Sequence, residues 1–123
     1  MIAADTSAWI DYSKGVDSKY ARSLQDALEE GNLIMPLIVL VEVLSDPGLT
    51  PEAQSSILDI PRLETTSGYW ERTGAMRRSI LKKGNKAKLG DCLIAQSCID
   101  HEVPLIAEDQ DFRHFARFGL RLV

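Results

Sequence analysis

The sequence predicts one doubly wound α/β domain built on a sheet of about five parallel strands. Three observations support this fold class. Short apolar runs alternate with longer helix-like stretches, which is the pattern of βαβ units. The length of 123 residues suits a single domain, and no repeat or linker divides the chain. The shares of hydrophobic (45%) and charged (26%) residues are those of an ordinary globular domain, which argues against disorder.

The predicted strands are five short apolar segments, each bounded by turn residues or by a helix-like stretch. The first begins the chain and is wholly apolar, and the second follows Gly31 and Asn32. The third is a weak strand, near residues 62–65. In order, the strands are predicted at residues 1–4, 33–35, 62–65, 104–107 and 120–123.

The helices are predicted from periodicity and from Gly and Pro at their ends. Tyr69, Thr73, Met76 and Ile80 recur at helical spacing and should form a buried stripe, with the basic residues of that helix facing outward. The segment 37–45 is ambiguous, because its β-branched residues could equally form a strand. The helices are predicted at residues 19–30, 37–45, 51–58, 67–83, 89–99 and 111–118.

No targeting or membrane segment is visible, so we expect a cytoplasmic protein with no membrane partner. The longest apolar run, 33–41, is interrupted by Pro36 and falls well short of the roughly 20 residues that a membrane helix needs. Cys92 and Cys98 lie six residues apart in a predicted helix, where they cannot bridge. They are expected to be small buried hydrophobes.

The basic residues are unevenly distributed although the net charge is −4. Half of the 14 Lys and Arg residues lie between Arg72 and Lys88, with no acidic residue among them. This segment is either the solvated face of a helix and its loop or a surface for phosphates. Lys86 and Lys88 are the candidate contacts for the phosphates of a ligand, because they lie shortly before Asp91.

Four acidic residues fall where a doubly wound sheet places its ligand site. Asp5 and Asp109 follow the first and fourth predicted strands, and Asp91 begins the helix that leads into the fourth. Glu42 is surrounded by apolar residues on every helical face, so its burial would be costly unless a cation or hydrogen-bond donors met it. Any one of these aspartates alone could be only a cap or turn residue.

Taken together, the four carboxylates predict a metal site. Carboxylates brought to one sheet edge repel each other, and a divalent cation with hard oxygen ligands is the usual reason to tolerate this. Because no His or Cys is nearby in sequence, Mg²⁺ or Mn²⁺ fits better than zinc. Such an ion polarises a phosphoryl oxygen and lowers the pKa of a bound water.

At these residues the chain resembles the PIN-domain ribonucleases, most closely the VapC-type toxins of VapBC toxin–antitoxin systems. The matching segments are IAADTS at 2–7, VEVL at 41–44, GDCLIA at 90–95 and LIAEDQDF at 105–112. The resemblance implies a three-layer α/β/α fold and a metal site formed by Asp5, Glu42, Asp91 and Asp109. It also implies that a hydroxyl at Thr6 or Ser7 supports this site.

The functional implication of the resemblance is an endoribonuclease that is restrained by a small VapB-type antitoxin and forms a homodimer. Two features depart from the family pattern. Ala107 stands where the family often has Ser or Thr, so a supporting hydroxyl is missing. Asp111 lies close enough in sequence to assist or replace Asp109 as a metal ligand.

Two other classes of protein remain as alternatives. A phosphoacceptor receiver domain would need an acidic pair after the first strand, an Asp after a middle strand and a late Lys, which this chain lacks. A PIN-like module that binds RNA or a protein without cutting remains open because of Ala107. Cleavage assays with Mg²⁺ or Mn²⁺ and with EDTA separate the enzyme from both.

Overall fold

Four short strands and six α-helices alternate along the chain in a computed structural model, which describes residues 1–123. A 3-10 helix, Gln110–Phe118, follows the last strand. The strands are β1 Ala3–Ala4, β2 Met35–Pro36, β3 Arg62–Leu63 and β4 Leu105–Ile106. The helices are α1 Thr6–Ser13, α2 Lys19–Glu30, α3 Leu37–Leu44, α4 Pro51–Leu58, α5 Tyr69–Lys82 and α6 Leu89–Asp100.

The strands form a parallel sheet whose order differs from their order in the chain. β1 pairs with β4 and β2 with β3, in both cases in parallel. Single parallel bridges, Ile2 to Leu33 and Leu105 to Leu122, join these pairs to each other and to the C-terminal residues. The order is therefore β3, β2, β1, β4 and then the segment at Leu122. The chain reverses its direction across the sheet between β1 and β4, which is the topological switch point.

The helices begin and end at residues whose chemistry favours those positions. Ser18 and Thr50 cap α2 and α4 by accepting a hydrogen bond from the backbone three residues on. Gly31 ends α2 in the left-handed conformation, with a φ of 67°. α3 begins directly after β2, and its segment is helical rather than extended.

The helices cover the sheet in two groups. α1 packs on α2, and α5 packs on α6, while α2 contacts β4 and α6 contacts β2. Since crossovers between parallel strands are right-handed, the reversal in strand order puts the connection from β1 to β2 and the connection from β3 to β4 on opposite faces. This arrangement is the predicted three-layer α/β/α fold.

The core lies between these layers and follows the apolar segments of the sequence. The central strands are completely buried, and the predicted stripe of α5 is buried in full: Tyr69, Thr73, Met76 and Ile80. Cys92 and Cys98 are free and buried, as expected for small core residues. Burial raises the pKa of both thiols, to about 11 for Cys92 and about 12 for Cys98. None of the helices is long and apolar enough to cross a membrane.

The structure confirms the order and type of the predicted elements and corrects three details. The predicted last strand at 120–123 is reduced to one bridge at Leu122. The predicted helix at 111–118 is a 3-10 helix. Helix α1 was not predicted, since the segment after Asp5 mixes polar and aromatic residues without a clear apolar stripe.

Candidate active site

Asp5 is the most buried of the predicted site residues. It follows β1 at the switch point of the sheet, and only 3% of its surface is exposed. Its carboxylate caps α1, because Oδ1 accepts a hydrogen bond from the backbone N–H of Ala8 at 3.0 Å. The possibility that Asp5 is a cap residue is therefore correct, but capping does not exclude a second role.

The environment of Asp5 disfavours its negative charge. The pKa of Asp5 is raised to about 6, mainly by burial and to a lesser extent by the charges of Asp91 and Glu108. Hydrogen bonds from the backbone of Ala8 and Glu108 act in the opposite direction. A surface cap residue would show no such rise. Asp5 thus titrates close to neutral pH and carries unneutralised negative charge above it.

Asp91 lies in the first turn of α6 and is half-buried. Its pKa is raised, first by desolvation and then by the charge of Asp109, with smaller contributions from Glu42 and Asp111. Lys88 lowers this pKa. The charge of Asp91 also raises the pKa of Asp5. Asp91 therefore interacts electrostatically with every other member of the predicted acidic group.

Asp109 and Asp111 belong to one tight turn after β4. Asp109 caps the 3-10 helix by accepting a hydrogen bond from the backbone N–H of Asp111 at 2.9 Å. Both carboxylates act on the pKa of Asp91, Asp109 more strongly than Asp111. Both residues are therefore close enough to Asp91 to interact with its charge, and Asp109 interacts with it more strongly than Asp111 does.

Glu42 differs from the expectation that its apolar neighbours would bury it. It is exposed on α3, as is the adjacent Val41. The reason is that α3 starts at the carboxyl edge of the sheet and turns one face away from the core. Glu42 nevertheless has a hydrogen-bond donor, since Thr6 Oγ1 donates to its Oε1 at 2.9 Å. Of the two predicted supporting hydroxyls, Thr6 makes this bond, and Ser7 is exposed without a partner.

These carboxylates share one edge of the sheet but do not form a closed set of ligands. We call Asp5, Glu42, Asp91 and Asp109 the acidic edge. No three Asp, Glu, His or Cys side chains are grouped so that they could hold one ion between them. The charges of the other acids raise the pKa of Asp5 and Asp91, but the carboxylates are not placed to ligate one ion together. Their assignment as metal ligands stays a prediction.

Sequence analysis missed two acidic residues beside Asp5. The carboxyl group of Asp11 lies close to that of Glu108 and raises the pKa of Glu108. Asp11 also accepts a hydrogen bond from Ser18 Oγ at 3.3 Å. Glu108 was visible as part of the acidic run after β4, but Asp11 lies on the unpredicted helix α1, so its proximity had no signal in the sequence.

A cavity of about 810 Å³ opens beside the acidic edge rather than at its centre. We call it the α1–α4 groove. It meets the acidic edge at Thr6 and Glu42 and extends past Trp9 and Tyr12 to Ile57 on α4. Half of its 18 lining residues are hydrophobic, so it suits a partly apolar ligand. Trp9 is buried and Tyr12 exposed, in an edge-to-face contact with ring centroids 6.3 Å apart.

The basic segment divides into paired and unpaired side chains. Arg72 forms an ion pair with Asp100, at 2.6 Å between Nη2 and Oδ2, and Arg77 Nε donates to the carbonyl of Ala87 at 2.9 Å. Lys86 and Lys88 are exposed. Lys88 directly precedes α6, and its charge lowers the pKa of Asp91. This agrees with its predicted place near the acidic edge.

Comparison with known proteins decides the family. The model of the PIN domain family matches residues 2–118. The chain belongs to the PIN-domain family. This confirms the resemblance noted in the sequence and the predicted fold class. It also removes the receiver domain as an alternative.

Similar proteins include two mycobacterial ribonucleases and one solved complex. The PIN domain is 28% identical to ribonuclease VapC11 of Mycobacterium tuberculosis and 28% identical to the VapC ribonuclease Mb1587 of Mycobacterium bovis, over 95% of this chain and 92% of each relative. Its fold resembles VapBC2 from Rickettsia felis, solved bound to a DNA fragment from its promoter, with a TM-score of 0.68. That match has 21% identity and covers 100% of this chain and 98% of the other.

Proposed function

We propose that this PIN domain is a metal-dependent endoribonuclease and the toxin of a type II toxin–antitoxin pair, acting in the cytoplasm. The observation that carries this proposal is Asp5, a buried carboxyl at the switch point of the sheet whose charge is disfavoured by burial and by Asp91. A fold retains such a group at a cost in stability, and a bound cation would remove that cost. The two VapC ribonucleases in the same family support the same reaction.

The residues that would hold the ion are Asp5, Asp91 and Asp109, with Glu42 and Asp111 close by. All are oxygen donors, which suits Mg²⁺ or Mn²⁺ rather than a metal that needs imidazole or thiolate. When bound, the ion would polarise a phosphoryl oxygen and lower the pKa of a water molecule. Small rotations of exposed or half-buried side chains would be needed to bring the carboxylates to one ion.

The other residues of the acidic edge would prepare the site. Thr6 holds Glu42 through its hydroxyl, which restricts the rotamers of an otherwise exposed side chain. Lys88 places a positive charge beside Asp91, where it would attract a phosphate of the RNA substrate. Because the pKa of Asp5 is about 6, the carboxylate needed for metal binding would be largely ionised only above that pH.

A VapB-type antitoxin is the proposed protein partner, and the α1–α4 groove is the proposed place where it docks. The groove has apolar walls and ends at Glu42, so a segment with an apolar face and a basic side chain at one end would fill it and cover the acidic edge. The similarity to the VapBC2 structure supports this partner. The homodimer implied by the resemblance stays a prediction.

Cleavage of total cellular RNA by the purified chain tests the activity, in Mg²⁺, in Mn²⁺ and in EDTA. We expect cleavage with at least one metal and none in EDTA. Sequencing the RNA ends produced after induction in cells, with and without co-expressed antitoxin, then identifies the substrate and tests inhibition. RNA binding without metal-dependent cleavage would instead support the non-cleaving PIN-like module.

A further inference from the structure

The exposed side of α5 contains a shallow hollow in which positive charge is concentrated. Its volume is about 490 Å³. The lining contains three cations, two leucines, one glycine and no acidic side chain. The six residues are Gly74, Arg77, Arg78, Leu81, Lys82 and Leu89, which we call the α5 basic face.

Two of the three cations of this face, Arg78 and Lys82, take no part in the ion pairs or side-chain hydrogen bonds of the fold. The chain has only two ion pairs, Arg22 with Asp17 and Arg72 with Asp100. Arg78 and Lys82 are exposed and make neither an ion pair nor a side-chain hydrogen bond. Arg77 is held in place by its bond to the Ala87 carbonyl, which keeps a guanidinium at the rim of the hollow. The hydrogen-bond donors of Arg78 and Lys82 are therefore free to bind an anionic ligand.

Gly74 makes the hollow and is not required by packing. It lies inside α5, where glycine destabilises a helix by roughly 1 kcal/mol relative to alanine. A Cβ built on it would meet nothing within 4 Å, so no neighbouring element needs its small size. Its backbone conformation is also accessible to any residue. The glycine leaves the helix backbone open to close approach from outside.

Apolar side chains complete the surface and connect it to the acidic edge. Leu81 and Leu89 are 46% and 58% exposed, and Trp70, one helical turn before Gly74, is 62% exposed. Leu89 opens α6 two residues before Asp91. Lys88, which lies next to Leu89 in the chain, contributes to the charge environment of Asp91, so the α5 basic face and the acidic edge are connected through the start of α6. Cations next to an exposed aromatic ring, here Trp70, are the combination that binds single-stranded nucleic acid, because bases stack on the ring.

We propose that the α5 basic face binds the phosphates and an unstacked base of the RNA strand next to the scissile bond, a second RNA contact outside the acidic edge. This inference rests on the proposed ribonuclease function. A second copy of the chain fits the face poorly, because two such faces related by a two-fold axis would oppose cations to cations.

Binding of a fluorescein-labelled, mixed-sequence 12-nucleotide RNA in EDTA tests the proposal without cleavage. The variants are Arg78→Gln with Lys82→Gln, and separately Gly74→Ala. The matched control is Lys19→Gln with Arg62→Gln, which removes two exposed charges elsewhere on the chain. We expect the first variant to bind about tenfold more weakly and its log–log salt slope to fall by about 1.4, the value for two phosphate contacts to a single strand.

Gly74→Ala distinguishes a ligand contact from a general charge effect. It should raise the melting temperature, because alanine is the better helix former, and should still weaken RNA binding several-fold by filling the hollow. The control pair should bind like the parent. Unchanged binding by both α5 variants, or an equal loss in the control, would overturn the proposal.

The same preparations separate this inference from the proposed function. Parent protein that cuts RNA in Mn²⁺, with α5 variants that bind as the parent does, refutes only the second RNA contact. Parent protein that binds RNA through the α5 basic face and does not cut in any metal refutes only the ribonuclease. Variants that lose binding to an acidic antitoxin peptide but not to RNA would assign the face to a protein and overturn the proposal.

Discussion

The acidic edge and the α5 basic face differ in burial as well as in sign. Asp5 is 3% exposed and Asp91 half-buried, whereas Arg78 and Lys82 are exposed to solvent. Burial makes the like charges of the acidic edge costly, which appears as raised pKa values for Asp5 and Asp91. Cations in solvent repel each other only weakly, since water and salt screen them.

This difference determines how strongly each region supports a function. An exposed basic helix face costs the fold little, so charge alone would not identify a binding surface, and the proposal needs the hollow at Gly74. A buried carboxyl beside other carboxylates destabilises the folded state, so its presence indicates a functional role. Stability measurements can therefore test the acidic edge, whereas only binding measurements can test the α5 basic face.

Replacing Asp91 should have the largest effect on activity. Asp91→Asn removes a predicted ligand and one of the repelling charges. We expect cleavage to fall by at least about 100-fold, while the melting temperature in EDTA stays equal to that of the parent or rises. Asp26→Asn, at an exposed position on α2, is the control. A large loss of metal-free stability with cleavage intact would make Asp91 a structural residue.

The pH dependence of stability should reveal Asp5. Its pKa is higher in the folded chain, about 6, than in the unfolded chain, so the folded state binds the proton more tightly. Metal-free stability should therefore rise as the pH falls from about 7 towards 4, by up to about 3 kcal/mol from this group. Urea unfolding in EDTA at several pH values measures this, and the rise should be lost in Asp5→Asn.

Added metal should have the opposite pH dependence. Mg²⁺ or Mn²⁺ at about 100 times its dissociation constant stabilises a protein by about 2.7 kcal/mol. We expect this gain above pH 7 and its loss near pH 5, because protons compete for the same carboxylates. An equal shift in melting temperature at both pH values would indicate that the ion binds elsewhere.

Charge reversal at the mouth of the acidic edge should have a moderate effect. Lys86→Glu with Lys88→Glu should weaken RNA binding by about tenfold and flatten its salt dependence. Lys19→Glu with Arg62→Glu changes the net charge by the same amount at other exposed positions and should have a smaller effect. If both pairs weaken binding equally, the segment acts only through net charge.

The smallest expected effect distinguishes the two hydroxyls after Asp5. Thr6→Ala removes the donor to Glu42 and should lower cleavage by roughly threefold to tenfold, consistent with the loss of one hydrogen bond of about 1 kcal/mol. Ser7→Ala should leave the rate unchanged, since Ser7 is exposed and has no partner. Equal effects of the two substitutions would show that the bond to Glu42 does not matter.

Much of this protein could be predicted from sequence because its signals are local. Apolar runs and helical spacing identified β1, β4 and the buried stripe of α5, since periodicity reports burial directly. The bounds of α2 and α4 were predicted to the residue, because Gly31 and Pro51 mark their ends. The acids at Asp5, Asp91 and Asp109 were found from their positions at strand ends and helix starts.

Only the tertiary structure decided what depends on distant parts of the chain. The exposure of Glu42 follows from where α3 leaves the sheet, and packing brings Asp11 of α1 close to Glu108 in the turn after β4. The raised pKa of Asp5 arises from burial and from charges far away in sequence. The hollow at Gly74 likewise needs α6 to bring Leu89 beside α5. Sequence spacing determines on which face of its own helix or strand a residue lies. Tertiary packing determines which other parts of the chain that face contacts.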